Sequence, residues 1–314
     1  MKNIEIYSKK TEELQNSLER LFVGQKRTVE LLLTVFFAKG HLLLEGPPGI
    51  GKTSLAKHLS QSFEGTFKRI QMTHDLLPTD LLGTLRLNPK TQEFEFRKGP
   101  LFSNFILVDE LNRCNPKSQS ALLEAMAEHT VTIDGVSHPL PDPFFVIATQ
   151  NPFETRGVFP LPESQLDRFM IQTSISHPEK GEELSIYQNF KSLDENASSM
   201  LPTLNFKDYK TITSLVEETT LESSLLEHLT EIVRKTRSLP GVLCGASVRA
   251  GLELIRASKS QAFLKKREFV LPEDVEELAP SVLAHRLQFE DDSLTLDYKQ
   301  KKIQEMIFKL PSLK

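Results

Sequence analysis

The segment Gly46-Pro47-Pro48-Gly49-Ile50-Gly51-Lys52-Thr53-Ser54 follows directly on the apolar run His41-Leu-Leu-Leu-Glu45. It satisfies the phosphate-loop pattern G-x-x-x-x-G-K-[ST] in full, with a strand-like run before it. After it, Leu55, Leu59 and Phe63 fall four residues apart with Ala56 beside them, an inward helical stripe. A strand, a glycine-rich loop and a helix in that order admit few folds. Glycines let successive backbone N–H groups turn toward phosphate oxygens, and the helix N-terminus adds partial positive charge. Lys52 reaches β- and γ-phosphates, and Thr53 offers its hydroxyl to Mg²⁺.

A second apolar run, Asn104 to Val108, ends in Asp109-Glu110. Alone, two acids after a strand read as a solvated loop. Beside a phosphate loop they complete a nucleotide site, with Asp109 in the Mg²⁺ shell and Glu110 polarising the attacking water. A third run, Phe144 to Ala148, leads into Thr149-Gln150-Asn151-Pro152. An amide at the carboxyl end of a strand lies where open α/β sheets bind ligands, so Asn151 is a candidate to orient that water. Asn-Pro is also an ordinary turn. Arg168 and Arg249 read from their own surroundings either as surface arginines or as cations near a phosphate.

Up to about residue 178, short apolar runs alternate with amphipathic stretches, the pattern of an α/β fold with a parallel sheet. Strands are expected at 41–45, 104–108, 144–148 and 170–175. Residues 191–204 are polar and pattern-poor, as in a linker. Beyond them the reading is all-helical. Leu221, Leu225, Leu226, Leu229, Ile232 and Val233 recur at helical spacing. Ser247 is a candidate N-cap for a helix carrying Leu252, Ile255 and Phe263, and Pro272, Glu273 and Asp274 suit a helix start. The expected organisation is an α/β nucleotide-binding domain over 1–190 and a helical lid domain over 205–314.

Composition narrows the function. The chain has 314 residues with a formal net charge of −4, which excludes bulk electrostatic attraction to nucleic acid or anionic lipid. Cys114 and Cys244 are its only cysteines, so no disulfide framework is available, and both read as small half-buried residues. The histidines show no metal-ligand spacing, and the 20 Phe residues read as core. The longest apolar run, Leu31 to Ala38, is too short for a membrane span. The N-terminus has no apolar signal stretch, so a cytoplasmic protein is expected.

The order of motifs resembles the MoxR family of AAA+ ATPases. The matching stretches are Gly24-Gln25, GPPGIGKTSLA (46–56), FRKGPLF (96–102), VDELNR (108–113), ALLEAMAEHTVTIDG (121–135), LPDPFFVIATQNPFE (140–154), LPESQLDRF (161–169), GASVRA (245–250) and VLPEDVEELAPSVLAHR (270–286). The resemblance implies an AAA+ core followed by a helical lid, binding ATP and Mg²⁺ between the two and hydrolysing ATP. It makes Lys52 and Thr53 the Walker A pair, Asp109 and Glu110 Walker B, and Asn151 the first sensor. Arg168 resembles the arginine finger given to a neighbouring subunit, Arg249 the second sensor on the lid, and Arg113 a further residue facing a neighbour. Val248 stands where the family commonly has proline.

Hairpins are expected within 82–98, turning at Pro89-Lys90, and within 129–144, turning at Asp134-Gly135. In related machines such hairpins face a central channel or client. The resemblance also implies a homo-oligomer, expected as a hexameric ring, with chaperone-like work on client proteins and partners that often carry a von Willebrand factor A domain. Nucleic acid is not an expected partner. The alternatives are a nucleic-acid motor and a nucleotide-gated scaffold that does not hydrolyse.

Overall fold

The computed structural model describes residues 2–47, 49–63, 65–152, 157–189, 204–291 and 293–311. Helices α1 (Lys2–Leu21) and α2 (Lys26–Phe37) precede β1 (Leu42–Glu45) and α3 (Lys52–Ser62), which flank the phosphate loop. Next come β2 (Phe67–Gln71), the short α4 (Pro78–Leu82), and a hairpin of β3 (Gly83–Leu87) and β4 (Phe94–Lys98). Then follow β5 (Phe105–Asp109), α5 (Pro116–Glu128), a second hairpin of β6 (Thr130–Ile133) and β7 (Val136–Pro139), β8 (Phe145–Gln150), α6 (Glu163–Leu166), β9 (Ile171–Ser174) and α7 (Lys180–Gln188). The rest is mainly helical: α8 (Phe206–Glu218), α9 (Ser223–Thr236), α10 (Val248–Leu264), α11 (Pro272–Leu283) and α12 (Leu296–Phe308), with a small ladder of β10 (Val242–Cys244) and β11 (Gln288–Phe289).

The expected α/β core is present as a parallel five-stranded sheet in the order β2-β5-β8-β1-β9. All four expected strands are in it. The fifth, β2, escaped the apolar pattern because it is an edge strand: Lys68, Arg69 and Gln71 are exposed and only Ile70 is buried.

Strand alternation sends side chains to two cores. Phe105 and Leu107 of β5 face one, and Ile106 and Val108 face the other. In the first, Phe36, Phe63, Phe105 and Phe145 gather around one another, with Tyr209 of α8 at 4.8 Å from Phe36 between ring centroids. That core runs without a break from the sheet into the C-terminal helices. Helix α1 fastens the same junction through Lys10 to Asp208 at 3.0 Å and Glu12 to Lys266 at 2.8 Å. Most of the expected linker lies outside the described residues; Leu204, at its end, is buried and donates its N–H to the Ser62 carbonyl at 2.7 Å.

Several local expectations are refined. The Ser247 hydroxyl accepts the Ala250 N–H at 3.1 Å and starts α10, yet Leu252 is 52% exposed and the inward face is Ala250, Leu254, Ala257 and Phe263. Leu226 is likewise exposed. The first hairpin pairs Leu87 with Phe94, so its loop runs over 88–93 and is longer than a Pro89-Lys90 turn. In the second, Ile133 pairs with Val136, and Asp134 and Gly135 take φ of 49° and 77°, as a two-residue I′ turn requires.

Phe94, Phe159, Phe269 and Phe308 are exposed rather than core. Cys114 is fully buried, with its thiol pushed up to about 11 by burial, whereas Cys244 is exposed. Among the described residues no group of three or more His, Cys, Asp or Glu could hold a metal ion, and no helix is long and apolar enough to cross a membrane.

Candidate nucleotide site

The loop after β1 is shaped by its glycines. Gly49 and Gly51 take φ of 86° and 87°, a region other residues enter at a cost. A side chain at Gly46 would come within 2.7 Å of the Ile175 carbonyl, so the close approach to β9 admits no other residue there. The Gly46 N–H donates to the Gln150 carbonyl at 3.2 Å, joining the loop to β8. Helix α3 begins at Lys52, at the end of the loop's concavity, with no side-chain cap on its first N–H groups. Lys52 Nζ donates to the Gly46 carbonyl at 2.9 Å across that concavity. Burial lowers the Lys52 pKa, and Asp109 and Glu110 counter that by favouring the charged form. Pro47, Ile50 and Thr53 are half-buried and Ser54 is exposed; Pro48 lies outside the described residues.

The adjacent strand ends supply the anionic side. Asp109 is buried; its Oδ2 accepts Arg69 Nε at 2.6 Å and its Oδ1 accepts the Thr149 hydroxyl at 3.3 Å. That hydroxyl oxygen also accepts the Glu110 N–H at 3.0 Å. Glu110 takes left-handed backbone angles, φ 59° and ψ 50°, and Thr149 pins it there. Such a conformation costs on the order of 1–3 kcal/mol and is typical of functional sites. It turns the Glu110 carboxylate toward β2, where Oε2 accepts Gln71 Nε2 at 2.6 Å and lies 3.3 Å from the Arg113 guanidinium.

A cavity of about 300 Å³ unites Gly46, Gly49, Gly51, Lys52 and Thr53 with Asp109, Glu110 and Asn151, and with Arg69, Gln71, Thr149 and Gln150. Glycine N–H groups, one ammonium and the N-terminus of α3 suit a polyphosphate. The Thr53 hydroxyl and the Asp109 carboxylate are hard oxygen donors, and no Cys or His lines the cavity, so the donor set fits Mg²⁺. Arg69 and Gln71 were missed by sequence reading. Their signal lay in β2, which pairs with β5 in register so that Gln71 stands beside Asp109.

The helical lid meets this region from the side. A cavity of about 390 Å³ shares Gln150 and Asn151 with the first, and its far wall includes His285, Leu294, Leu296 and Lys299. Arg168 and Arg249 line neither cavity. Arg168 directly follows Asp167 in the chain, and Asp167 lies 3.9 Å from Arg249 Nε and accepts Arg286 Nε at 2.6 Å.

Comparison with known proteins finds relatives over most of the chain. The ATPase family associated with various cellular activities (AAA) matches residues 41–171, and an AAA lid domain matches 234–305. The uncharacterized protein YeaC of Bacillus subtilis is 43% identical over 88% of this chain and 86% of its own length. The chaperone MoxR1 of Mycobacterium tuberculosis is 40% identical over 88% and 75%, and the protein MoxR of Methylorubrum extorquens is 29% identical over 88% and 87%. A crystal structure of a candidate ATPase from Cytophaga hutchinsonii superposes with a TM-score of 0.88 at 37% identity, covering 98% of this chain and 96% of that one. With its parallel-sheet core, helical C-terminal region and these relatives, the chain belongs to the MoxR family of AAA+ ATPases.

Proposed function

We propose that this chain hydrolyses ATP in the cavity around Lys52 and works as a homo-oligomeric ring, expected as a hexamer, that remodels or matures partner proteins. The observation that carries the reading is the convergence of Lys52, Thr53, Asp109, Glu110 and Asn151 on one cavity from three separate strand ends. Lys52 and the loop N–H groups hold the phosphates. Thr53 and Asp109 would hold Mg²⁺, which when bound would neutralise phosphate charge. Glu110 takes the proton from water, and Asn151 orients that water against the γ-phosphate.

The ring is supported by the absence of Arg168 and Arg249 from the lining of their own chain's cavity, with Arg249 instead beside Asp167, the residue before Arg168. From there they are suited to serve the nucleotide of an adjoining copy, as a head-to-tail interface that closes would allow. The chaperone name of a relative 40% identical to this chain favours protein clients, with von Willebrand factor A domain proteins as the first class to try.

Glu110→Gln tests the reading. It is expected to bind ATP as the native protein does while turnover falls about 100-fold or more. Turnover at the native rate would refute the assignment of the base.

A further inference from the structure

The fork of Arg286 is almost wholly spent on the segment that carries Arg168. Arg286 lies on the single turn Ala284–Arg286 that follows α11, and is 6% exposed. Its Nε donates to Asp167 Oδ1 at 2.6 Å. One terminal nitrogen donates to the carbonyls of Phe169 at 2.8 Å and Asp167 at 3.5 Å. The other donates to the Met170 carbonyl at 3.2 Å and to the carbonyl of Val282 near the end of α11. His285 adds a hydrogen bond to the Phe169 carbonyl at 3.0 Å. Residues 167, 169 and 170 are thus held from the lid, and Arg168 stands between them. The remaining Asp167 oxygen, Oδ2, faces Arg249 Nε at 3.9 Å.

Cohesion alone does not explain such an arrangement. A buried ion pair is often no more stabilising than well-packed apolar residues of the same volume. What a planar fork with five donors offers is geometry, since it fixes several acceptors at once in one orientation. We propose that Arg286 is a positioning residue: it locks the Asp167–Met170 turn to the lid, so that Arg168 and Arg249 are presented to an adjoining subunit's nucleotide as one rigid unit. This rests on the reading of Arg168 as a residue acting on a neighbour. Within it, the turn before β9 and the lid of one subunit move together.

The test compares three variants, Arg286→Lys, Arg168→Ala and Lys52→Ala, each alone and in pairwise mixtures. Arg286→Lys keeps the charge but loses the fork. It is expected to bind ATP within twofold of the native affinity and to assemble to the native mass by light scattering. Its kcat is expected to fall about 100-fold, the scale set by misplacing a reacting group by about 1 Å. Mixing it with Lys52→Ala is expected to restore turnover, because the Lys52→Ala subunit carries an intact Arg168 turn and the Arg286→Lys subunit an intact phosphate loop. Arg168→Ala mixed with Lys52→Ala is the reference.

Native kcat for Arg286→Lys, or a loss that mixing does not relieve while the reference mixture recovers, would overturn the proposal alone. Failure of the reference mixture to recover would instead overturn the reading beneath it, and the proposal with it. Should Arg286→Lys not fold, Asp167→Asn decides in the same assay. It keeps the acceptor, is tolerable at a half-buried carboxylate, and is expected to give the same pattern with a smaller loss.

Discussion

Gln71 Nε2 donates to Glu110 Oε2 at 2.6 Å, so the carboxylate assigned to water activation is held by an amide on the neighbouring edge strand. Two features set this geometry: β2 pairs with β5 in register, and Glu110 adopts left-handed backbone angles that turn its side chain toward β2. Removing the amide leaves Glu110 less well oriented. Gln71→Leu is expected to lower kcat about tenfold and leave the ATP dissociation constant unchanged, as judged by steady-state turnover and calorimetry.

Arg69 and a Mg²⁺ ion held by Asp109 would make competing demands on that carboxylate. Arg69 Nε lies 2.6 Å from Asp109 Oδ2, and the Arg69 side chain is 53% exposed. Asp109 is buried, but solvent screens the exposed Arg69 end, so the pair is worth on the order of 1 kcal/mol. Arg69→Ala is therefore expected to lower the Mg²⁺ concentration for half-maximal turnover by about two- to fivefold. A rise in that concentration would show that Arg69 supports the cation site instead.

His41, at the entrance to β1, makes stability depend on pH. It is buried, accepts the Val146 N–H on Nδ1 at 3.2 Å, and so presents Nε2–H to the Met126 carbonyl at 3.3 Å. Burial first, and His129 second, lower its pKa from 6.5 to about 3. The unfolded chain therefore binds the extra proton first as pH falls. This contribution to stability is fully present above pH 6.5 and is lost progressively from there down to about pH 3. The loss is on the order of a few kcal/mol. Denaturant titrations at a series of pH values should show a shallower acid slope for His41→Gln than for the native protein.

Asp274 anchors the start of α11 inside the lid. It is fully buried; both oxygens accept the Arg267 fork, at 2.6 and 2.7 Å, and Oδ2 also accepts the Leu271 N–H at 2.9 Å. Burial alone would raise its pKa, but these bonds, with Lys265 nearby, lower it overall. Its contribution is thus present above the unfolded carboxylate value and lost as pH falls through the folded one. Asp274→Ala leaves Arg267 without its carboxylate partner and is expected to destabilise the protein by about 3 kcal/mol, measured by denaturant unfolding.

The contrast between what sequence disclosed and what it hid has a physical origin. That Lys52, Thr53, Asp109 and Glu110 line one cavity was legible because each lies in a contiguous strand-to-loop segment. The parallel core was legible because buried central strands read as unbroken apolar runs. Arg69 and Gln71 were not legible, since an edge strand carries little apolar signal and their roles depend on β2 lying beside β5. The clasp of Arg286 on Asp167 spans 119 residues, and only the packing of the lid against the turn before β9 brings them together.

Binding at the phosphate loop is the most direct test of the whole account. ATP with Mg²⁺ titrated by calorimetry into folded native protein is expected to give saturable heat. That heat is expected to be absent for Lys52→Ala and retained for Glu110→Gln. No heat with the native protein, or equal heat with Lys52→Ala, would contradict the account.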